Sequence, residues 1–243
     1  DKLGNRSNAS GEVEFEDAWG VLMGEEGRGI PTIIEMAGYT RLNCVAGSAA
    51  ILRQAAVQAI AYARRRHAFG KALAEQPLMR AVLADLALEV EASIALGMRL
   101  AAAVDDVGRG DEHARLLRRI ALPASKYWVT KRGIAVTAEA LECLGGNGYA
   151  EESGMPRLYR EAPVNSVWEG SGNVNALDVV RAITREPASV AALVKECTLA
   201  RGVDARLDAA IDAIEPLATS AYAADGPLLA RSLVERLAVT LQA

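Results

Sequence analysis

A carboxylate next to an aromatic ring is the clearest candidate for chemistry in this sequence. It is Glu169, in the run WEGSGN at residues 168–173. Burial beside an indole disfavours the charged form of a carboxylate, which suits a base that abstracts a proton. Ser171 or Asn173 could cap the helix that follows, and the free N–H groups of a helix start suit an anion. The alternative is an ordinary loop glutamate whose charge suits the dipole of that helix.

Two other segments could contact a ligand. The run LGGNGY at residues 144–149 has three glycines in four positions, and glycine lets a backbone approach a ligand closely. A helix is predicted before this run, whereas the dinucleotide fingerprint follows a strand, so a ligand-facing loop and a simple helix stop both remain open. Arg64, Arg65 and Arg66 end another predicted helix, where they could clamp a phosphate or lie solvated as charges favoured by the dipole.

The sequence offers no support for a metal centre or a nucleophilic triad. Its three cysteines, at positions 44, 143 and 197, form no CxxC pair. His67 and His113 have no ligand partners three or four residues further along the chain. No serine lies in a G-x-S-x-G setting. We therefore predict a protein without a bound metal.

The composition predicts helices to position these residues. The chain has 243 residues, of which 51% are hydrophobic and only 5% aromatic, and its apolar set is dominated by alanine and leucine, which favour helices. Its apolar content excludes a disordered chain, and the three scattered cysteines exclude a disulfide scaffold. A formal net charge of −4 argues against an electrostatic grip on nucleic acid by the whole chain.

Apolar residues at steps of three and four predict four long helices in a mainly α, up-down four-helix bundle. A loop is expected at 149–170, and alternation at 12–16 predicts one strand whose partners lie elsewhere. Three shorter helices should follow Pro187. The predicted helices are 30–66, 76–107, 111–144 and 171–184 in the bundle, then 188–199, 203–223 and 227–242.

The ends of the sequence predict a cytoplasmic protein that is a fragment or a processed form. No charged and apolar leader follows Asp1, and the chain does not open on Met. No stretch of 18 uncharged apolar residues occurs, so we expect no membrane span.

Five motifs follow one another along the chain: Arg66-x-x-Phe69-Gly70, Gln76, residues 144–149, Arg160-Glu161 and residues 168–173. In combination, these motifs resemble the C-terminal helical domain of the flavin-dependent acyl-CoA dehydrogenases. The resemblance covers about residues 1–187. Several segments are similar to the AidB-like subfamily, named after a bacterial alkylation-response protein, and that likeness continues into the helices after Pro187.

The resemblance implies three domains and a reaction. Residues 1–29 would be the remnant of a middle β-domain, 30–187 the flavin-binding bundle and 188–243 an appended helical region. In this family a glutamate removes the α-proton of an acyl-CoA thioester while the β-hydrogen leaves as hydride to the flavin.

Glu169 matches the catalytic base of the family. Some members carry the base on the first long helix instead, and the matching residue, Thr40, cannot serve. Arg41 matches an arginine near the substrate, and Trp168 and Gly170 flank the base on the substrate side, where the indole would shield it from water.

The resemblance also implies FAD shared between two subunits of a homodimer or homotetramer, with an electron-transfer flavoprotein as acceptor. Arg66 matches an arginine that binds the FAD pyrophosphate from the neighbouring subunit. The other matching FAD contacts are Phe69, Gln76, Glu142, Cys143, Leu144, Gly145, Gly146, Ser171 and Asn173.

Some features depart from the family. Gly38 stands where many members have an acidic residue near the substrate, and Glu142 replaces a common glutamine. Because the parts that hold the flavin ring are absent, we expect the isolated chain to bind FAD weakly and to show no catalytic turnover.

A DNA-associated flavoprotein of the alkylation response and a non-catalytic helical module are the alternative functions. Residues 188–243 carry five positive and seven negative residues, a poor surface for phosphates.

Overall fold

The computed structural model describes residues 1–223 and 225–243, and it confirms the mainly helical fold class. Three long helices dominate: α1 (Gly29–Arg65), α2 (Pro77–Gly108) and α3 (Glu112–Glu142). Short connections join them, so successive helices run antiparallel. The apolar stripes of all three meet in the bundle interior, where Leu52, Leu100 and Ile120 are fully buried.

Local chemistry explains where these helices begin. Asp111 caps α3, because its carboxylate accepts a hydrogen bond of 3.0 Å from the backbone N–H of Ala114. Pro77 opens α2, a position where its missing N–H costs nothing. Pro123 is buried inside α3, and the helix continues past it.

The predicted loop at 149–170 is wrong. A four-residue helix, α4 (Gly146–Tyr149), leads through a 3₁₀ turn (Glu151–Ser153) to a helix, α5 (Met155–Val167). Pro156 lies in the first turn of α5, where proline is well tolerated. Met155, Ala162 and Asn165 are buried, so packing against the bundle overrides the helix-breaking tendency of the prolines.

The fourth position of the bundle is occupied by two helices in succession. α5 packs on α1 and α3, and α6 (Gly172–Arg185) packs on α3. The predicted fourth helix, 171–184, corresponds to α6 within one residue. The turn between α5 and α6 contains Glu169, so the candidate base lies at a break between helices.

The appended region forms α7 (Ala188–Thr198), α8 (Ala205–Asp212), α9 (Ile214–Ser220) and α10 (Gly226–Gln242). The predicted helix at 203–223 is wrong as a single element, because the chain divides at Ala213. α10 packs against α3 and α6. Its apolar side chains join those of the bundle in one core, which includes Leu117, Val179, Leu193 and Leu237.

The predicted strand at 12–16 is also wrong. Residues 1–28 contain no helix or strand, and residues 12–16 are exposed. A strand needs a hydrogen-bonded partner, and none of the described residues supplies one. The tail is held instead at Asn5, whose backbone N–H donates to Glu161 Oε2 at 2.8 Å.

A two-stranded hairpin connects α1 to α2, and the sequence patterns did not predict it. β1 (His67–Ala68) pairs antiparallel with β2 (Lys71–Ala72). Phe69 and Gly70 form the turn with φ of +54° and +85°. Two positive φ values are the requirement of the type I′ turn that matches strand twist.

Two properties of the described residues bear on function class. By length and composition, α1 is apolar enough to cross a membrane, with a mean hydropathy of 1.3 over 18 residues, of which 44% are buried in the bundle. Among residues 1–223 and 225–243, no group of three or more His, Cys, Asp or Glu side chains is placed to hold a metal.

Candidate active site

Glu169 lies in a strained turn between α5 and α6. Its φ is +57°, and Gly170 follows with φ of +95°. A positive φ is uncommon for a residue with a side chain and persists only where the surroundings enforce it. A Cβ on Gly170 would lie 2.9 Å from Val174 Cγ1, so glycine is required there. The turn therefore holds the half-buried glutamate in one conformation.

The side chain of Glu169 meets α1. Thr40 Oγ1 donates to Glu169 Oε2 at 2.7 Å. Arg41 Nε donates to the carbonyl oxygen of Glu169 at 3.2 Å. Positions 40 and 169, the two places where the resemblance allows a base, are therefore in direct contact.

Arg41 is itself fixed by an ion pair. Its Nη1 lies 2.6 Å from Asp178 Oδ2 on α6, and Arg119 Nη2 lies 3.2 Å from the other carboxylate oxygen. Burial of Asp178, which is 9% exposed, opposes its ionisation. The two arginines outweigh this cost and hold the pKa of Asp178 below its usual value. Arg41 thus links α6 to the turn at residues 168–171, which we call the base turn.

A buried lysine supports the turn from below. Lys126 on α3 is 1% exposed, and its Nζ donates to the carbonyls of Trp168 at 2.8 Å and Gly170 at 2.5 Å. Asn175 Nδ2 also donates to the Gly170 carbonyl, at 2.6 Å. Burial lowers the pKa of Lys126 to about 8. The sequence patterns missed both residues, since a single lysine within a helical apolar pattern gives no distinctive signal.

Trp168 covers the glutamate only in part. The residue is 39% exposed, so the apolar shield expected beside the candidate base is incomplete in this chain. The backbone of Trp168 contributes more here, because its carbonyl is one of the two that Lys126 binds.

Gly38, which stands where many family members have an acidic residue, lies close to the side chain of Arg118. A Cβ at Gly38 would lie 2.6 Å from Arg118 Nη2. The Arg118 guanidinium stacks 5.1 Å from the centre of the Tyr39 ring. A cation therefore occupies the place next to position 38, where many family members have an acid.

Most of the predicted FAD contacts in the glycine loop lie close to Arg66, at the C-terminal end of α1. A pocket of about 270 Å³ is lined by Arg66, by residues 143–146 and by Tyr62, Leu73 and Asn147. Gly145 has φ of +59°, and a Cβ at Gly148 would lie 2.0 Å from the Leu141 carbonyl oxygen. Of the predicted loop residues, Glu142 is exposed and does not line the pocket.

Of the other two predicted FAD contacts in this region, Phe69 lies at the hairpin turn and Gln76 precedes α2, and neither lines the pocket. Phe69 is 93% exposed at the tip. Gln76 Nε2 donates to the Ala68 carbonyl at 3.2 Å, so in this chain its amide braces the hairpin. Cys143, inside the pocket, is buried, and burial raises the pKa of its thiol to about 11.

Ser171 and Asn173 lie at the base end. Ser171 occupies the N-cap position of α6, but its side chain makes no capping hydrogen bond, so the predicted cap is wrong. Asn173 Oδ1 accepts a hydrogen bond of 2.8 Å from Arg231 Nε on α10. The appended region thus contacts a predicted FAD residue.

The candidate residues therefore form two clusters along α1, one beside Thr40 and Arg41 in its N-terminal half and one at its C-terminal end. The base end contains Glu169 with Thr40 and Arg41, and the hairpin end contains Arg66 with the glycine loop. Between Arg41 and Arg66 the helix advances by roughly 37 Å, at about 1.5 Å per residue. The two clusters therefore lie far apart on one chain.

The family model of the acyl-CoA dehydrogenase C-terminal domain matches residues 27–184. The chain therefore belongs to the acyl-CoA dehydrogenase family. It is 50% identical over 211 residues to the putative acyl-CoA dehydrogenase AidB of Escherichia coli, which covers 87% of this chain and 39% of that protein. The chain thus spans less than half the length of this relative.

Two solved structures are similar to different lengths of this chain. Caenorhabditis elegans ACDH-11 in complex with C11-CoA has a TM-score of 0.79 and 26% identity, covering 90% of this chain and 40% of that chain. Butyryl-CoA dehydrogenase from Megasphaera elsdenii has a TM-score of 0.60 and 26% identity, covering 67% and 40%. The larger coverage by the nematode protein extends the likeness beyond the bundle.

Proposed function

We propose that the full-length protein is an FAD-dependent acyl-CoA dehydrogenase with Glu169 as the base that removes the α-proton. The observation that carries this proposal is the position of Glu169. Its carboxylate is held against α1 by Thr40, and its carbonyl oxygen accepts a hydrogen bond from Arg41. Lys126 binds the carbonyls of the two flanking residues. An enzyme needs a carboxylate fixed in this way to approach an α-carbon in one geometry.

The residues at the hairpin end suit the diphosphate of FAD. Arg66 offers a planar guanidinium, which can bind a diphosphate through two hydrogen bonds. Gly145 and Gly146 line this pocket with open space beside them, so the backbone there can approach a ligand closely. Bound FAD would supply the acceptor for the β-hydrogen. In this chain, Arg66 and the loop would bind the cofactor, while Glu169 would take the α-proton onto its carboxylate.

The two clusters support a site shared between subunits. Roughly 37 Å separates Arg41 from Arg66 along α1, so the two sets of residues lie far apart on one chain. We therefore propose a homo-oligomer in which Arg66 and Phe69 of one subunit complete the site that contains Glu169 of another. An electron-transfer flavoprotein as acceptor and a cytoplasmic location belong to the same proposal.

The DNA-associated alternative gains no support from the described part of residues 188–243. Arg201 pairs with Asp212 at 2.7 Å, and Arg206 pairs with Asp204 at 2.8 Å. Cations that already have acidic partners are poorly available to phosphates. Salt-dependent DNA binding by the full-length protein at micromolar concentration would restore this alternative.

A spectroscopic titration tests the proposal. The full-length protein, purified with its flavin, is mixed anaerobically with a panel of acyl-CoAs, and the flavin absorbance is recorded. We expect one member of the panel to bleach the flavin. Glu169→Gln should keep the flavin and lower the bleaching rate about 10³-fold, within the range of general base catalysis. Glu152→Gln, at an exposed glutamate, is the control and should bleach at the wild-type rate.

Two outcomes would contradict the proposal. The absence of bleaching by every acyl-CoA would exclude dehydrogenation of these substrates. Wild-type bleaching by Glu169→Gln would exclude Glu169 as the base.

A further inference from the structure

Three consecutive backbone carbonyls of the base turn accept hydrogen bonds from charged side chains. Lys126 Nζ binds the carbonyls of Trp168 and Gly170, at 2.8 and 2.5 Å. Arg41 Nε binds the carbonyl between them, that of Glu169, at 3.2 Å. The turn is therefore held on both of its sides, from α3 and from α1.

We propose that Lys126 is a positioning residue for proton abstraction, because its ammonium group binds the backbone carbonyls of the two residues that flank Glu169, Trp168 and Gly170. This inference rests on the proposed function of Glu169. Lys126 contacts no atom of the carboxylate in this arrangement; it acts through the backbone that carries it. The left-handed conformation of Glu169, with φ of +57°, is energetically unfavourable for a residue with a side chain, and the two lysine hydrogen bonds oppose its relaxation.

The burial of Lys126 supports a positional role over a purely structural one. A buried ammonium is expensive unless it is paired, and an apolar residue of similar size often packs at least as well. Both recorded hydrogen bonds of Lys126 go to carbonyls of this one turn. The hydrogen bonds of the ammonium group therefore stabilise the segment that carries the candidate base.

The surroundings of Lys126 make its protonation sensitive to pH. The charged and titratable groups near it are Cys44 and Arg41 on α1, Lys131 on α3 and Glu169 in the turn. Burial is the largest influence and lowers the pKa of Lys126 to about 8. Below that pH the ammonium offers three donors and a full charge. Above it the neutral amine holds the carbonyls more weakly.

Proton exchange without oxidation tests this role directly. In a 3-thiaacyl-CoA, sulfur replaces the β-carbon, so no hydride can leave. Glu169 would take the α-proton, leaving the thioester enolate, and would return a deuteron from D₂O to the same carbon. The exchange rate, followed by mass spectrometry on the full-length holoprotein, therefore measures the base step alone.

Lys126→Met removes the ammonium and keeps the apolar stem. We expect it to lower the exchange rate by 10- to 100-fold, about the loss that a displacement near 1 Å produces, with the analogue Kd changed less than about 3-fold. Lys126→Arg should retain most of the rate, because it keeps a charged donor. This second variant also keeps the test valid should the methionine variant fail to fold.

Val129→Ala is the matched control. Val129 is fully buried on α3, three residues from Lys126, and belongs to the apolar core. Its truncation should lower the melting temperature without changing exchange by the folded protein. A purely structural lysine would give Lys126→Met the same behaviour, and that result would overturn the inference.

The pH profile and a glutamate variant complete the test. We expect wild-type exchange to decline above about pH 8, and this decline should be absent in Lys126→Arg. Its persistence there would count against the lysine. Loss of exchange in Glu169→Gln with full exchange in Lys126→Met would overturn only the inference. Full exchange in Glu169→Gln would overturn the proposed function itself.

Discussion

The base end and the hairpin end of the candidate site share a backbone feature but have different surroundings. At one end Glu169 and Gly170 have φ of +57° and +95°, and at the other Phe69 and Gly70 have +54° and +85°. In both pairs a predicted site residue with a side chain adopts a conformation that favours glycine. Strain of this kind concentrates at functional positions.

The difference lies in what holds each pair. Thr40, Arg41 and Lys126 bind the side chain or backbone at Glu169. Phe69 is 93% exposed at a hairpin tip. The base end is thus organised by contacts within the chain, whereas the hairpin end directs its residues outward. A site built from both ends of different subunits would account for this contrast.

The largest expected effect concerns the internal network of the base end. Asp178→Asn leaves Arg41 and Arg119 without the carboxylate that they share. Removing one partner of a buried ion pair costs about 3 kcal/mol, so the free energy of unfolding in urea should fall by about that amount. Asp208→Asn, at an acid without an ion-pair partner in the described chain, should change it far less. An unchanged midpoint for Asp178→Asn would show that the network is not what holds the base end.

The ion pairs of Asp178 with Arg41 and Arg119 should also make the stability of the wild-type protein depend on pH in acid. The pKa of Asp178 is lower in the folded chain than in the unfolded chain. Its contribution is therefore fully present above the unfolded pKa, about 3.9, and is lost as the pH falls through the folded value. Wild type should lose stability relative to Asp178→Asn below about pH 4. Parallel curves in acid urea titrations would contradict this.

A smaller effect is expected for ligand binding at the hairpin end. Arg66→Ala should weaken FAD binding to the full-length protein by about 2 kcal/mol, roughly 30-fold, the size of a hydrogen bond to a charged group. Because Arg66 is exposed, the melting temperature of the apoprotein should not change. Arg64→Ala, another exposed arginine that does not line the pocket, is the control. Equal losses in both variants, measured by flavin fluorescence, would indicate a general charge effect.

The smallest effect is a gain in stability. Phe69→Gly relieves the positive φ of an exposed side chain, so the free energy of unfolding should rise by up to about 1 kcal/mol. FAD binding should weaken at the same time. A gain in stability with unchanged FAD affinity, measured by calorimetry and flavin titration, would separate Phe69 from the cofactor site.

Helical periodicity predicts the long elements well, because α1, α2, α3 and α6 carry their own apolar stripes. It fails at α5, where Pro156 and Pro163 indicate a loop and only tertiary packing reveals the helix. The alternation of polar and apolar residues at 12–16 also misleads, because a strand needs a pairing partner and the pattern does not supply one. The motifs lead to Glu169 and Arg66. Lys126 and Asn175 are defined only by which carbonyls lie next to them, and no spacing rule expresses that.

Subunit complementation tests the central claim most directly. Full-length Glu169→Gln and Arg66→Ala are co-expressed with different tags, and hybrids that carry both tags are assayed by acyl-CoA bleaching without added FAD. If the site combines Glu169 of one chain with Arg66 of another, each such pair regains one intact site, and activity returns. Hybrids no more active than either variant alone would contradict a shared site.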